Sequence, residues 1–224
     1  MKFKAEIFSQ EEIELVHRKT MELLEKTGVS IKSKKAFRLL AEAGAKVDEE
    51  TQRVYLTEDR VMEAVRQAPK KFVLAGRNPK FDYEIPSFES RHTMSGICTN
   101  IYYPYTGEKR ESTKEDVKNV GRVFQKTVTG VVSWTGCSAT DVPAKTHCLH
   151  EMAAIMQGTS KHVQFELSNT HEAGYAKKIL NLVAGSKEKF IERKIASVLY
   201  CPVSPLTHVE EMLDAYLQLA EYEV

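Results

Sequence analysis

His162-Val-Gln-Phe-Glu166 reads as a short strand, and Leu167-Ser-Asn-Thr170 carries it into a helical run over residues 172–184. The same order stands on either side. Upstream, Gly130-Val-Val-Ser-Trp134 passes through Thr135-Gly-Cys-Ser-Ala-Thr-Asp141 into a helix over 145–157. Downstream, Ile195-Ala-Ser-Val-Leu-Tyr200 passes through Cys201-Pro-Val-Ser-Pro-Leu-Thr-His208 into a helix over 209–221. Strand, loop and helix recur three times at a spacing of roughly 30 residues, the size of a βα unit. That pattern predicts a parallel sheet, with chemistry carried just after each strand.

Working outward, Ser9-Gln-Glu-Glu12 is a capping box that opens a helix with Ile13, Val16, Leu23 and Leu24 on one face, stopped by Gly28. A second helix over roughly 33–43 ends at Gly44, and 46–48 with 53–56 reads as a hairpin. Thr57 caps a third helix that ends near Pro69; a strand over 71–75 and a turn at Arg77-Asn-Pro-Lys80 follow. Residues 81–110 are β- and loop-rich, with a hairpin whose arms are Ile97-Cys-Thr-Asn-Ile-Tyr-Tyr103 and Glu108-Lys-Arg110. Ser112-Thr-Lys-Glu115 is a second capping box, opening a helix to about residue 125. The expected fold class is therefore α/β: an N-terminal α+β cap over 1–111, then over 112–224 the first three βα units of a partial (β/α)8 TIM barrel. A whole barrel needs about 250 residues. Three parallel strands leave an edge uncovered, so the chain reads as the front half of a longer protein or as a partner for another copy.

Bulk composition excludes several classes. With 42% hydrophobic and 28% charged residues the chain is a folded globule rather than a disordered one. A net charge of +1 gives no field that favours nucleic acid or an anionic membrane. No apolar run approaches the ~18 residues of a membrane span, and the start lacks a signal-peptide core. Cys98, Cys137, Cys148 and Cys201 form no Cys-x-x-Cys pair and read as reduced thiols of a cytoplasmic protein.

The order of several segments resembles the trimethylamine methyltransferase (MttB-like) superfamily over essentially the whole chain. The carriers are Ile13-Glu-Leu-Val-His17 with Leu23-Leu-Glu-Lys-Thr-Gly28, Leu39-Leu-Ala-Glu-Ala-Gly-Ala-Lys-Val-Asp48, and Ala68-Pro-Lys-Lys-Phe72 with Leu74-Ala-Gly-Arg-Asn-Pro79. Tyr105-Thr-Gly-Glu-Lys-Arg110, Ser112-Thr-Lys-Glu-Asp116 and Pro202-Val-Ser-Pro-Leu206 complete them. The resemblance implies an α+β region on a (β/α)8 barrel. It also implies transfer of a methyl group from a quaternary or tertiary amine, such as trimethylamine or a betaine, to the Co(I) centre of a separate corrinoid protein. Cobalamin would then be supplied by that partner, with no metal bound by this chain, and homo-oligomerisation is expected. Founding members carry pyrrolysine in the C-terminal half of the barrel, a region this sequence does not include. Two alternatives stand beside this reading: a catalytically silent truncated paralogue that acts as an interaction protein, and a zinc–thiolate methyltransferase using Cys137 and Cys201.

Demethylating a quaternary ammonium is a positioning problem, because the amine leaves neutral. Carboxylates and aromatic faces hold such cations. The substrate-binding candidates are Glu166, Ser168 and Asn169 after the second strand, Ser138 after the first, and Ser204 and His208 after the third. Tyr102 joins them from the hairpin; it and Tyr103 cannot both face inward, since neighbouring side chains alternate. No catalytic residue is assigned. Trp134, Phe165 and Tyr200 are expected to pack in the core, and Asp141 to serve the loop. His147, His150 and Glu151 share a helix face, read as exposed to solvent rather than as a metal site.

Overall fold

A computed structural model describes residues 6–87, 89, 91–93 and 96–223; the reading of the first residues as lacking a signal peptide lies outside them. The fold is mixed α/β, with eight α-helices and several small sheets among the described residues. Contacts gather the chain into two units, residues 1–69 with 202–213, and 70–201 with 214–224.

The first unit holds α1 (Gln10–Lys26), β1 (Val29–Ile31), α2 (Lys34–Glu42), β2 (Lys46–Asp48), β3 (Arg53–Tyr55) and α3 (Glu58–Gln67). The expected capping box forms: the Glu12 amide donates to Ser9 Oγ, and the Ser9 amide donates to Glu12 Oε2 at 2.7 Å. Gly28 ends the helix at φ +68°, where a Cβ would also lie 2.6 Å from the Val54 carbonyl oxygen. The hairpin of β2 and β3 is antiparallel, as is the pairing of β3 with β1. A two-residue strand from late in the chain, Thr207–His208, adds to the far side of β1 in parallel, Ser30 beside Thr207 and Ile31 beside His208.

In the second unit, β4 (Phe72–Leu74) and β5 (Tyr83–Ile85) form one hairpin. β6 (His92–Thr93) is followed by the hairpin of β7 (Asn100–Tyr103) and β8 (Glu108–Glu111). Then come α4 (Lys114–Lys126), β9 (Gly130–Ser133), α5 (His147–Gly158), β10 (His162–Phe165), α6 (Thr170–Ala184), α7 (Lys187–Arg193) and β11 (Ala196–Val198). The C-terminal part of α8 (Glu210–Leu219) also belongs here. β6, β9, β10 and β11 neighbour one another in chain order, and every pairing among them is parallel.

Side-chain alternation gives this sheet two characters. Val163 and Phe165 of β10 and Ala196 of β11 pack with Met152, Ile155, Ala176, Leu180 and Phe190 in one buried cluster. Burying Phe165 completely contributes roughly 2–3 kcal/mol. Helices α4 and α5 cross so closely that a Cβ on Gly121 would sit 3.0 Å from the Gly158 Cα. On the other parity of the strands stand His162, Gln164 and Ser197. Ser197 Oγ is 3.0 Å from His162 Nε2, and Gln164 Nε2 donates to Ser197 Oγ.

The structure corrects several expectations. The parallel sheet has four strands, not three. β6 is only two residues long and lacks a sequence signature; it exists because the edge of β9 offers it a ladder. A short helix, α7, follows the Gly185 stop (φ +97°), in a stretch to which the sequence patterns assign no element. The second capping box is displaced by one residue: Thr113 caps α4 with Asp116 as its reciprocal partner. The hydroxyl of Ser112 is instead buried and donates to the carbonyls of Ser138 (2.7 Å) and Cys98. Residues 70–111 are bonded within the second unit. Arg77 donates to the carbonyls of Met156 and Thr159, and Thr93 pairs with β9.

Candidate functional site

Where β9 and β10 give way to α5 and α6, buried carboxylates hold the loops. Asn169 caps α6, its Oδ1 accepting the Glu172 amide at 2.9 Å, while Glu172 Oε2 accepts the Ser168 amide at 2.8 Å. Glu151, in the second turn of α5, accepts the Ala139 amide at 2.8 Å. Both carboxylates are almost fully buried, Glu172 at 1% and Glu151 at 4% exposure. Between them lies the buried thiol of Cys148, 3.4 Å from His147 Nε2 and 3.8 Å from Ser168 Oγ. Half-buried Glu166 follows β10 directly. Tyr216 of α8 meets Tyr200 edge to face, with ring centroids 4.7 Å apart. Its hydroxyl is buried without a hydrogen-bond partner among the described residues.

These groups share one electrostatic neighbourhood. Burial raises the Glu151 carboxyl, the Ala139 amide and His147 oppose that rise, and Glu166 and Glu172 add to it. Burial likewise raises Glu166, against His147. The Cys148 thiol is pushed up to about 12, by burial first and by Glu172 next. The Tyr216 phenol is raised by burial, then by Glu166. A thiol so placed stays protonated at neutral pH and is no nucleophile. What the arrangement suits is a cation: carboxylates whose charge burial disfavours, beside two aromatic faces, gain by taking one up.

The sequence candidates are brought together only in part. Glu166 and Ser168 stand in this neighbourhood, and Asn169 is spent on the helix cap. Ser138, half-buried after β9, is held by its backbone: its amide donates to the Cys98 carbonyl at 2.8 Å. Tyr102 lies on the β7–β8 hairpin, 62% exposed. Ser204 and His208 both belong to the first unit. Val203 and Thr207 bridge across the turn that holds Ser204, and the His208 carbonyl accepts the Lys32 amide at 2.9 Å.

Glu151 is the residue that sequence reasoning misjudged. In sequence it sits beside His147 and His150 on a wall helix and reads as solvent-facing, yet that turn of α5 faces the loop after β9. Glu172 and Tyr216 were missed as well; the only sequence signal was the Asn169-to-Glu172 capping spacing. Asp141 serves the loop as expected, accepting the Lys114 amide at 2.7 Å. Cys137 is buried with its thiol pushed up to about 12 by burial, and Cys201 is exposed. Among the described residues no three His, Cys, Asp or Glu are placed to hold a metal ion, and no helix is long and apolar enough to cross a membrane.

Comparison with known proteins adds an independent finding. The family model described as trimethylamine methyltransferase (MTTB) matches residues 2–223. The chain is 33% identical over 209 residues to trimethylamine methyltransferase MttB of Desulfitobacterium hafniense, covering 92% of this chain and 42% of that protein. It is 25% identical over 219 residues to a glycine betaine methyltransferase of the same species, covering 97% and 45%. To trimethylamine methyltransferase MttB2 of Methanosarcina mazei it is 26% identical over 212 residues, covering 89% and 41%. The chain thus spans less than half the length of these curated relatives.

Proposed function

The chain belongs to the trimethylamine methyltransferase family, and from that premise we propose that it forms the front part of an enzyme that demethylates a quaternary or tertiary methylamine or betaine. In this reading the four parallel strands begin a (β/α)8 barrel, and the cluster at their ends is one wall of the amine pocket. The observation that carries it is that Glu166 lies near enough to help raise the Tyr216 phenol, beside the edge-to-face Tyr200–Tyr216 pair. A methylated ammonium is held by π-faces and by carboxylates, and its methyl carbon is activated by the positive nitrogen it leaves. Glu166 and the tyrosines bind and orient; Glu151 and Glu172 fix the two loops, so that the pocket wall is preorganised. A corrinoid carried by a partner protein would supply the nucleophile, and with the amine departing neutral no residue of this chain would have to move a proton. The same reading puts the enzyme in the cytoplasm and makes it a homo-oligomer.

Calorimetric titration with tetramethylammonium, beside its uncharged isostere neopentane carrying one hydroxyl (neopentyl alcohol), tests the reading. The cation should bind the chain, and Glu166→Gln should weaken that binding roughly 10-fold without lowering the unfolding temperature. Equal affinity for the cation and the neutral isostere, or an unchanged affinity in Glu166→Gln, would overturn it.

A further inference from the structure

Burial alternates with period two along the two central strands and just past them. Val163, Phe165 and Leu167 are buried, with Gln164 and Glu166 half-buried between them; Ser133 and Thr135 are buried, with Trp134 half-buried between them. Val163, Phe165 and Leu167 belong to the cluster packed against the helices, and Trp134, Gln164 and Glu166 do not. The indole expected in the core therefore stands on the opposite face of the sheet, the face of His162 and Ser197. The parallel ladder pairs His162 with Val132, Val163 with Ser133 and Gln164 with Ser197. One residue further on, Trp134 comes beside Gln164 at the strand spacing of about 4.8 Å, and Glu166 follows Gln164 by about 7 Å along the chain.

Behind this row the hydrogen bonds can run in one direction only. The Ala75 carbonyl can only accept, so His162 Nδ1, 3.1 Å from it, carries a ring proton. Burial lowers the imidazole to about 4, so at neutral pH that proton is its only one and Nε2 is an acceptor. The Ser197 hydroxyl, 3.0 Å from Nε2, must then donate to it, and the Ser197 oxygen is left to accept the Gln164 side-chain N–H at 3.5 Å. With its nitrogen turned to Ser197, the Gln164 amide turns its oxygen away, and Gln164 Oε1 accepts from no described residue.

We propose that the Trp134 ring and Gln164 Oε1 form, beside Glu166, the seat of the methylated ammonium, and that His162 and Ser197 are positioning residues that keep the amide oxygen toward it. The inference rests on the amine reading of this site and adds which further side chains touch the cation. Indole is the best of the aromatic faces for a cation. A carbonyl oxygen meets the N-methyl hydrogens, which share the positive charge, through weak C–H···O contacts. A reversed amide would turn its N–H groups to the cation and repel it; the chain of donors from Gln164 to Ala75 excludes that state. It does so with a neutral dipole, which costs less to bury than a further carboxylate.

Trp134 is the one tryptophan of the chain, so its emission reports this seat alone. Titrating the full chain with tetramethylammonium should shift that emission saturably, with the midpoint found by calorimetry, and neopentyl alcohol should not. Trp134→Leu should weaken binding of the cation roughly 10-fold. Ser197→Ala should weaken it about 3-fold, and Ser197→Thr, which keeps the hydroxyl, should restore it. Circular dichroism checks that each variant is folded, and the emission of the unaltered chain decides the role of Trp134 even where Trp134→Leu does not fold. A cation that binds in dependence on Glu166 while the emission stays unchanged would overturn the seat and leave the amine reading standing. Equal affinity in Ser197→Ala and the unaltered chain, or an equal loss in Ser197→Ala and Ser197→Thr, would overturn the positioning role. No binding of the cation at all would overturn both this inference and the amine reading.

Discussion

Where the parallel strands begin, lysine and arginine side chains are hydrogen-bonded to backbone carbonyls; where they finish, buried carboxylates hold the loops. Lys161, 2% exposed just before β10, donates to the carbonyls of Phe124 (3.0 Å) and Thr127 (2.6 Å) and to Thr127 Oγ1. They lie at the C-terminal end of α4, where the helix runs out of its own donors; the Thr127 amide and hydroxyl share the Phe124 carbonyl with Lys161. Arg77 does the same for α5 through Met156 and Thr159, and Arg193 reaches the Gly76 carbonyl and Asp82. Lys161 and Arg77 meet carbonyl groups at the negative ends of α4 and α5, and Lys161 also faces the rings of Phe124 and Phe81. At the other end, burial raises the Glu151 and Glu166 carboxyls, and Glu166 and Glu172 add to the rise at Glu151. One end is satisfied by what the chain itself supplies. At the other, the proposed function gives the carboxylates a cation to hold.

The difference can be broken from either side. Lys161→Met should have the largest effect, a loss of about 3 kcal/mol in urea unfolding, because it removes a buried charged donor on which the Thr127 carbonyl depends; tetramethylammonium binding to the folded variant should not change. A loss under about 1 kcal/mol would mean that the cation is no clamp.

Acid should act next most strongly, through His162. Burial lowers this imidazole to about 4, against an ordinary value near 6.5. The unfolded chain therefore takes up the proton first. The stability this neutral ring confers is complete above pH 6.5 and drains away as pH falls from 6.5 toward 4, by on the order of 2–3 kcal/mol. His162→Gln should flatten the stability profile over that window; an equally steep profile in the variant would assign the loss to other groups.

Glu151→Gln should have the smallest effect. Its Oε1 can still accept the Ala139 amide while the cost of burying a charge disappears, so stability at pH 8 should hold or rise by less than about 1 kcal/mol. A loss comparable to that of Lys161→Met would show that the two ends are built on the same principle.

Local signals made much of this fold legible in the sequence. The Ser9–Glu12 capping box, the positive-φ glycines at 28 and 44, and the apolar starts of β9, β10 and β11 each act within a few residues. Elements that depend on distant partners were not legible. His92 and Thr93 become a strand only beside β9, and Thr207 and His208 only beside β1. Ser112 lost the capping role to Thr113 because its hydroxyl found the Ser138 carbonyl, 26 residues away. At the candidate site, Glu166 could be picked out because it ends a strand. Glu151 and Tyr216 could not, since helical spacing does not say which turn looks toward the strand ends. A lysine buried as a helix cap runs against composition rules, so Lys161 gave no sign of its place; Arg77 gave none because its carbonyl partners lie 79 and 82 residues on.

Residues 75–82 connect these observations to time. Their backbone and side chains are held by groups made much later: the Ala75 carbonyl by His162, 87 residues on, and the Gly76 carbonyl by Arg193, 117 residues on. A ribosome adding roughly 5–20 residues per second needs about 6–23 s to span the longer gap. During that interval the segment has been synthesised but cannot settle, so the end of the sheet where the strands begin is sealed last, by the oldest part of the unit.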